Sequence, residues 1–273
     1  MPSPATRVSL VLVPLALVVM QAACAARLYE PPTGPGAPFA DAGAVWERVT
    51  SSCRIASRLV AEVRVEGWTG ATRERVPSAN FHTALTSDNE VYLEVPGPGG
   101  PYVEMAGRAN QSVLMFPRDE RVLRASTREI VEALTGLKWD AVDLLNVLTG
   151  CVVPKATVAS GTSYAQTAQI ELGGGARAYV RQQDRAWHLK AATRDGLLIE
   201  YLTYEGAFPA DIRVTSREAG VTPLRLKFSV RNHNVNTALE ANTFVLAVPP
   251  NFIAMTLADL RGNRPAGDGK VVK

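Results

Sequence analysis

The chain has 273 residues, 47% hydrophobic and 20% charged, a balance that supports a buried core and excludes a disordered chain. Its 29 Lys+Arg and 26 Asp+Glu leave a formal charge of +3 with both signs interspersed, without the clustered basic face that nucleic-acid binding requires. Three His and three Cys, widely dispersed, offer no metal-ligand spacing, so no nucleic acid, metal or cofactor is expected.

The N-terminus carries the first signal. Arg7 stands before the apolar run Val8–Met20, which fits the core of a secretory signal and falls short of the roughly 20 residues of a spanning helix. Gln21-Ala22-Ala23-Cys24 then resembles a bacterial lipobox, with Gln21 where an aliphatic residue is usual. On this reading residues 1–23 are a lipoprotein-type signal peptide and Cys24 is the lipid-attachment site. Each buried acyl CH₂ contributes roughly 0.8 kcal/mol, so two or three chains, palmitate among them, hold a protein on a membrane. The expected location is the cell envelope, on the periplasmic face of the outer membrane. Ala25, where an Asp would retain the protein in the inner membrane by the enteric rule, favours that sorting. The alternative is plain secretion with cleavage after Ala25 or Ala26, giving a periplasmic or secreted protein.

With Cys24 lipidated, Cys53 and Cys151 remain as an even pair in an oxidising compartment. A disulfide between them would close a loop of about a hundred residues, an effect of roughly 4–5 kcal/mol on chain entropy. The alternative is two buried, unpaired thiols acting as small hydrophobes.

Residues 24–43, with Pro31, Pro32, Pro35 and Pro38 among Gly34, Gly36 and Gly43, read as a Pro/Gly-rich tether. From Asp41, an N-cap candidate, Val45, Val49, Cys53, Ala56, Leu59 and Val60 recur at helical spacing. Period-two alternation follows. Val63 and Val65, then Val91, Leu93 and Val95, alternate with charged or polar neighbours. So do Ile170 and Leu172, then Val180, and Ile212 with Val214. The cleanest run is Leu224, Leu226, Phe228 and Val230 against Arg225, Lys227, Ser229 and Arg231. This pattern predicts antiparallel strands with one face in water, about ten of them, joined mainly as hairpins. Ser126 with Glu129 resembles a capping box that opens a short helix ending at Gly136, and a second helix is predicted over about Asp140–Leu148. The pair presents Ile130, Leu134, Trp139, Leu144, Leu145 and Leu148, more apolar surface than two short helices bury against each other, so they must lie on the inner sheet face.

That order of elements resembles the LolA/LolB-like lipoprotein carriers and receptors, closer to the LolB type. The passage Arg121–Gly150 looks like the region where a strand runs into the lid helices, and Val235–Arg261 resembles the tail of uncharacterised lipoproteins of that superfamily. The resemblance covers roughly Ala44–Arg261 and implies an α+β, mainly β fold. Its curved antiparallel sheet forms an incomplete β-barrel over 44–262, and an N-terminal helix and the two-helix insertion cover the concave face. A disordered tail is expected over 263–273. The implied function is binding of acyl chains or lipoproteins in an apolar half-barrel, in lipoprotein localisation or envelope lipid handling, by a monomer. The candidate cavity residues are Val63, Val65, Val91, Leu93, Val95, Ile170, Leu172, Val180, Ile212, Val214, Leu224, Leu226 and Phe228, and the lid residues are the six on the helix pair. For each of these the alternative is ordinary core packing. The chain departs from the LolB type at Pro96–Pro101, a Gly/Pro turn without the exposed Leu, with Tyr102-Val103 the nearest apolar residues.

Other motifs carry no chemistry. Gly161–Ala165 lacks one glycine of a nucleophile elbow, and Gly97–Gly100 lacks the Lys and helix of a phosphate loop. His82, His188 and His233 read as surface or packing residues, Asp140 as a cap and Asp143 as solvated, and Arg118, Arg121 and Arg124 as a solvated edge. No enzyme is expected. The alternative function is a non-enzymatic envelope interaction lipoprotein with a filled core and no lipid ligand.

Overall fold

Alternating apolar and polar side chains build one fifteen-stranded sheet among the described residues. The computed structural model describes residues 28–153 and 156–262, so the signal segment, Cys24 and the tail over 263–273 lie outside the described residues. In chain order the strands are β1 (Ala37–Pro38), β2 (Arg58–Thr69), β3 (Glu74–Thr86), β4 (Glu90–Val95), β5 (Val103–Arg108), β6 (Gln111–Phe116) and β7 (Arg121–Ala125). After the helical insertion come β8 (Val158–Tyr164), β9 (Thr167–Leu172), β10 (Arg177–Gln183), β11 (Ala186–Arg194), β12 (Leu197–Glu205), β13 (Phe208–Ser216), β14 (Leu224–Val235) and β15 (Ile253–Met255).

The spatial order is β1-β8-β9-β10-β11-β12-β13-β14-β2-β3-β4-β5-β6-β7-β15. Every neighbour pair is antiparallel except β15, which runs parallel to β7. Fifteen strands at about 4.8 Å spacing would be roughly 67 Å wide if flat, and twisted sheets beyond about ten strands curl. Bulges help the bend. At Val65/Gly67 the register of β2 on β3 shifts, and Gly67 has φ +141° with the Arg225 carbonyl 2.0 Å from where a Cβ would stand. The edges β1 and β15 are not paired with each other among the described residues, so the sheet is curved and unclosed.

The sheet has fifteen strands rather than about ten, and β1 and β15 are pieces of only two and three residues. The segment expected as a tether is docked at its end: β1 pairs with Thr162 and Ser163, Phe39 N donates to Gly161 O at 2.9 Å, and the Phe39 ring tilts against Trp187. An open edge of β8 offers unpaired backbone groups that a short extended segment satisfies. The first helix is also shorter than its apolar stripe. It divides into α1 (Ala42–Val49) and α2 (Ser51–Ile55), and Leu59 and Val60 belong to β2.

The insertion folds as α3 (Thr127–Thr135) and α4 (Ala141–Thr149). Both open with capping boxes, Ser126 with Glu129 and Asp140 with Asp143, and both end on a left-handed glycine, Gly136 at φ +81° and Gly150. A last helix, α5 (Leu257–Gly262), packs on α3. Asp143 is not solvated. Its carboxylate pairs with Arg194 of β11, which also donates to Val152 O at 2.7 Å, while Arg128 reaches Asp140 at 3.2 Å. The insertion folds back onto the sheet, and that brings the start of α4 against the end of β11.

Cys53 of α2 and Cys151, just beyond α4, form a disulfide with a Cα–Cα distance of 5.5 Å, and both are buried. It ties the N-terminal helices to the insertion across 98 residues of sequence. Replacing both cysteines by Ala is expected to lower the unfolding free energy by about 2–5 kcal/mol in urea titrations. An unchanged midpoint would show that the bridge contributes nothing.

Candidate functional site

The concave face is filled on one side and hollow on the other. α1 packs on β8 and β11, whereas α4 lies against β2, β3, β4 and β13 and α3 against β6. Ile170, Leu172, Val180, Ile212, Val214, Leu224 and Leu226, expected to line a cavity, are almost wholly buried in the close-packed core and lie outside the hollow. The other six, Val63, Val65, Val91, Leu93, Val95 and Phe228, line a cavity of about 630 Å³. From the helix pair, Leu134, Leu144 and Leu148 face it. Ile130, Trp139 and Leu145 are buried in the core instead, with Trp139 stacked on Phe228 at 6.3 Å.

Much of the lining was not anticipated. It includes Val76, Ala79, Phe81, Thr83 and Leu85 of β3, Val103 and Met105 of β5, Leu114 and Phe116 of β6, and Met255 and Leu260 near the C-terminus. The periodicity of β5–β7 is obscured because their convex face is apolar and buried too, at Ala106, Met115 and Val122. The segment after β14, which contributes the buried Phe244, is tied to β5 where Arg108 Nη2 donates to Ala241 O at 2.5 Å. A signal existed in β3, where Ala79, Phe81, Thr83 and Leu85 alternate.

The interior suits hydrocarbon. Its few hydroxyls are already engaged: Thr83 Oγ1 donates to Tyr92 O at 3.0 Å and Thr135 Oγ1 to Val131 O at 2.7 Å. Among the described residues only two that line it are charged, Asp119 and Arg121, both placed where β6 ends and β7 begins. Tyr102 joins them at this rim. The Arg118 guanidinium lies 3.6 Å from the centre of the Tyr102 ring and donates to Pro98 O at 2.6 Å, and Gly97 sits so close that a Cβ there would be 2.4 Å from the ring. Arg121, expected on a solvated edge, therefore belongs to the rim of the hollow, while Arg118 is exposed beside it.

Among the described residues no group of three or more His, Cys, Asp or Glu is placed to hold a metal ion, and no helix is long and apolar enough to cross a membrane. No protein-family model and no curated protein matches the chain. Solved structures align with part of it. A LolA superfamily protein from Nitrosomonas europaea aligns over 74% of this chain and 97% of its own, with 8% identity and a TM-score of 0.49. A DUF1329 family protein from Desulfovibrio piger covers 74% and 95%, with 11% identity and a TM-score of 0.46. A putative outer membrane lipoprotein-sorting protein domain from Vibrio parahaemolyticus covers 74% and 95%, with 11% identity and a TM-score of 0.42.

On the convex side of β4 and β5, Glu94 and Glu104 stand directly opposite each other. Burial, then the Glu94 charge, pushes the Glu104 carboxyl above its usual range. Burial, then the hydrogen bond to Glu94 at 2.6 Å, raises the Tyr92 phenol. A carboxyl with a raised folded-state pKa favours folding while protonated, and that contribution is lost as pH rises through the folded value. Glu104→Gln is therefore expected to raise Tm at pH 7, with the gain vanishing towards pH 3.5. A variant less stable than the parent at pH 7 would contradict this.

Proposed function

We propose that the hollow holds the hydrocarbon chain of a lipid or of a lipidated protein, and that the protein is a non-catalytic envelope lipoprotein anchored through Cys24. The observation that carries this reading is a cavity of about 630 Å³ whose interior hydroxyls are already satisfied. That volume lies within the range of roughly 300–1,000 Å³ typical of small-molecule sites. Such an interior offers a ligand no unengaged threonine O–H donor, so discrimination inside it rests mainly on apolar surface, at roughly 0.8 kcal/mol per buried CH₂. The rim at Tyr102, Asp119 and Arg121 gives the chain a way in and out. Pro96–Pro101 presents no Leu, so the proposed role is carriage or reception of acyl chains, without active insertion of a lipoprotein into the membrane.

A second reading, an interaction module with a filled core, is favoured by the packed half of the concave face around Ile170, Ile212 and Leu226. Displacement of a fluorescent fatty acid separates the two. The parent is expected to bind it, and Ala79→Trp, which fills the hollow from β3, is expected to weaken binding by at least about tenfold, the equivalent of two buried CH₂ groups. Its Tm should stay within a few degrees of the parent's. A parent that takes up no fatty acid would favour the interaction module.

For the anchor, Cys24→Ser is expected to move the protein from the membrane to the soluble envelope fraction. Retention in the membrane, with the parent showing an unmodified mass, would overturn the lipid attachment.

A further inference from the structure

Resting on the hydrocarbon reading of the hollow, we infer that its ligand carries an anionic group at the end of the chain, and that Arg121 reads that group at the rim. The strand register makes the argument. In β7, Leu123 pairs with Leu114 and Arg121 pairs with Phe116, and Leu114, Phe116 and Arg121 all line the cavity. Arg121 therefore points into the concave side, while Arg124, of opposite parity, is exposed.

A guanidinium turned into an apolar hollow is costly unless something there engages it. Inward charges do serve to guard open sheet edges, but this edge is already covered: β15 pairs with β7, Ile253 opposite Arg121. Among the described residues Arg121 has neither a side-chain hydrogen bond nor an ion pair. Neither nearby carboxylate forms an ion pair with it. Asp119 is exposed at the rim, and Asp259, which feels the Arg121 charge, accepts from Thr256 N at 2.8 Å and Thr256 Oγ1 at 2.9 Å. Arg118 is engaged with Tyr102 and Pro98. Arg121 is thus the cation left at the point where the end of a seated chain would emerge.

A carboxylate and a phosphate monoester share the chemistry that a guanidinium fork recognises. The experiment is titration below micelle concentration with palmitate, 1-palmitoyl-lysophosphatidic acid and the neutral hexadecanol, on the parent, Arg121→Gln and, as a control on the opposite face of β7, Arg124→Gln. The parent and Arg124→Gln are expected to bind one or both anions about tenfold more tightly than hexadecanol, as one charge-assisted hydrogen bond allows. Arg121→Gln should abolish the preference, so that it binds the three ligands with equal affinity. The anion preferred identifies the head group. Equal affinity of the parent for all three ligands overturns the role of Arg121 and leaves the hydrocarbon reading standing. So does a preference that survives in Arg121→Gln. A parent that binds none of the three overturns both.

Discussion

Two nine-residue helices have to roof a concave face wider than they are. At about 1.5 Å per residue each is roughly 14 Å long. The six strands β2 to β7 at about 4.8 Å spacing are roughly 24 Å across. α4 settles against β13 and β2–β4, and α3 settles on β6, leaving the lining of β3–β6 facing a space that neither helix fills. On the other half, α1 supplies Val45 and Trp46 to a core shared with β8–β14, and the cleft of about 620 Å³ beside it carries Glu47 and Arg54 in its lining, unlike the apolar hollow. The cavity follows from the mismatch between the amount of sheet and the amount of helix.

What fixes the roof also fixes the shape of the hollow. The Cys53–Cys151 bridge, the Asp143–Arg194 pair and the two capping boxes all act on the insertion or on the residues beside it. They hold α4 by both ends, its start to β11 and its finish to α2. By contrast β15 is three residues long and α5 six, so the C-terminal wall of the cavity, with Met255 and Leu260, rests on fewer bonds. The rim and this wall lie side by side, because Ile253 pairs with Arg121.

Local chemistry was legible in the sequence and the distribution of emptiness was not. Ser126, Glu129 and Gly136 mark α3 because capping is decided within a few residues. Leu224–Val230 alternates cleanly because β14 has one polar face. The Cys53–Cys151 disulfide was one of two readings of the cysteine count, and the structure forms it. β5 and β6 were harder to read because both of their faces are apolar, and the cover on the outer one comes from far along the chain. Alternation assigns Ile170 and Leu93 to the same concave face, and it is silent on which of them meets a neighbouring side chain and which meets space. Arg121 lies in a charged turn and reads as solvent-facing. Its inward direction emerges only from its parity with Leu123 and its pairing with Phe116.

The central claim is that the space between β2–β7 and the helices is a hydrocarbon site. Native mass spectrometry of the protein purified from cells without detergent tests it most directly. Bound species with the mass of a lipid or of a lipidated peptide are expected, lost on extraction with organic solvent and taken up again from added palmitate. A single ligand-free mass that stays unchanged after incubation with excess palmitate would contradict it.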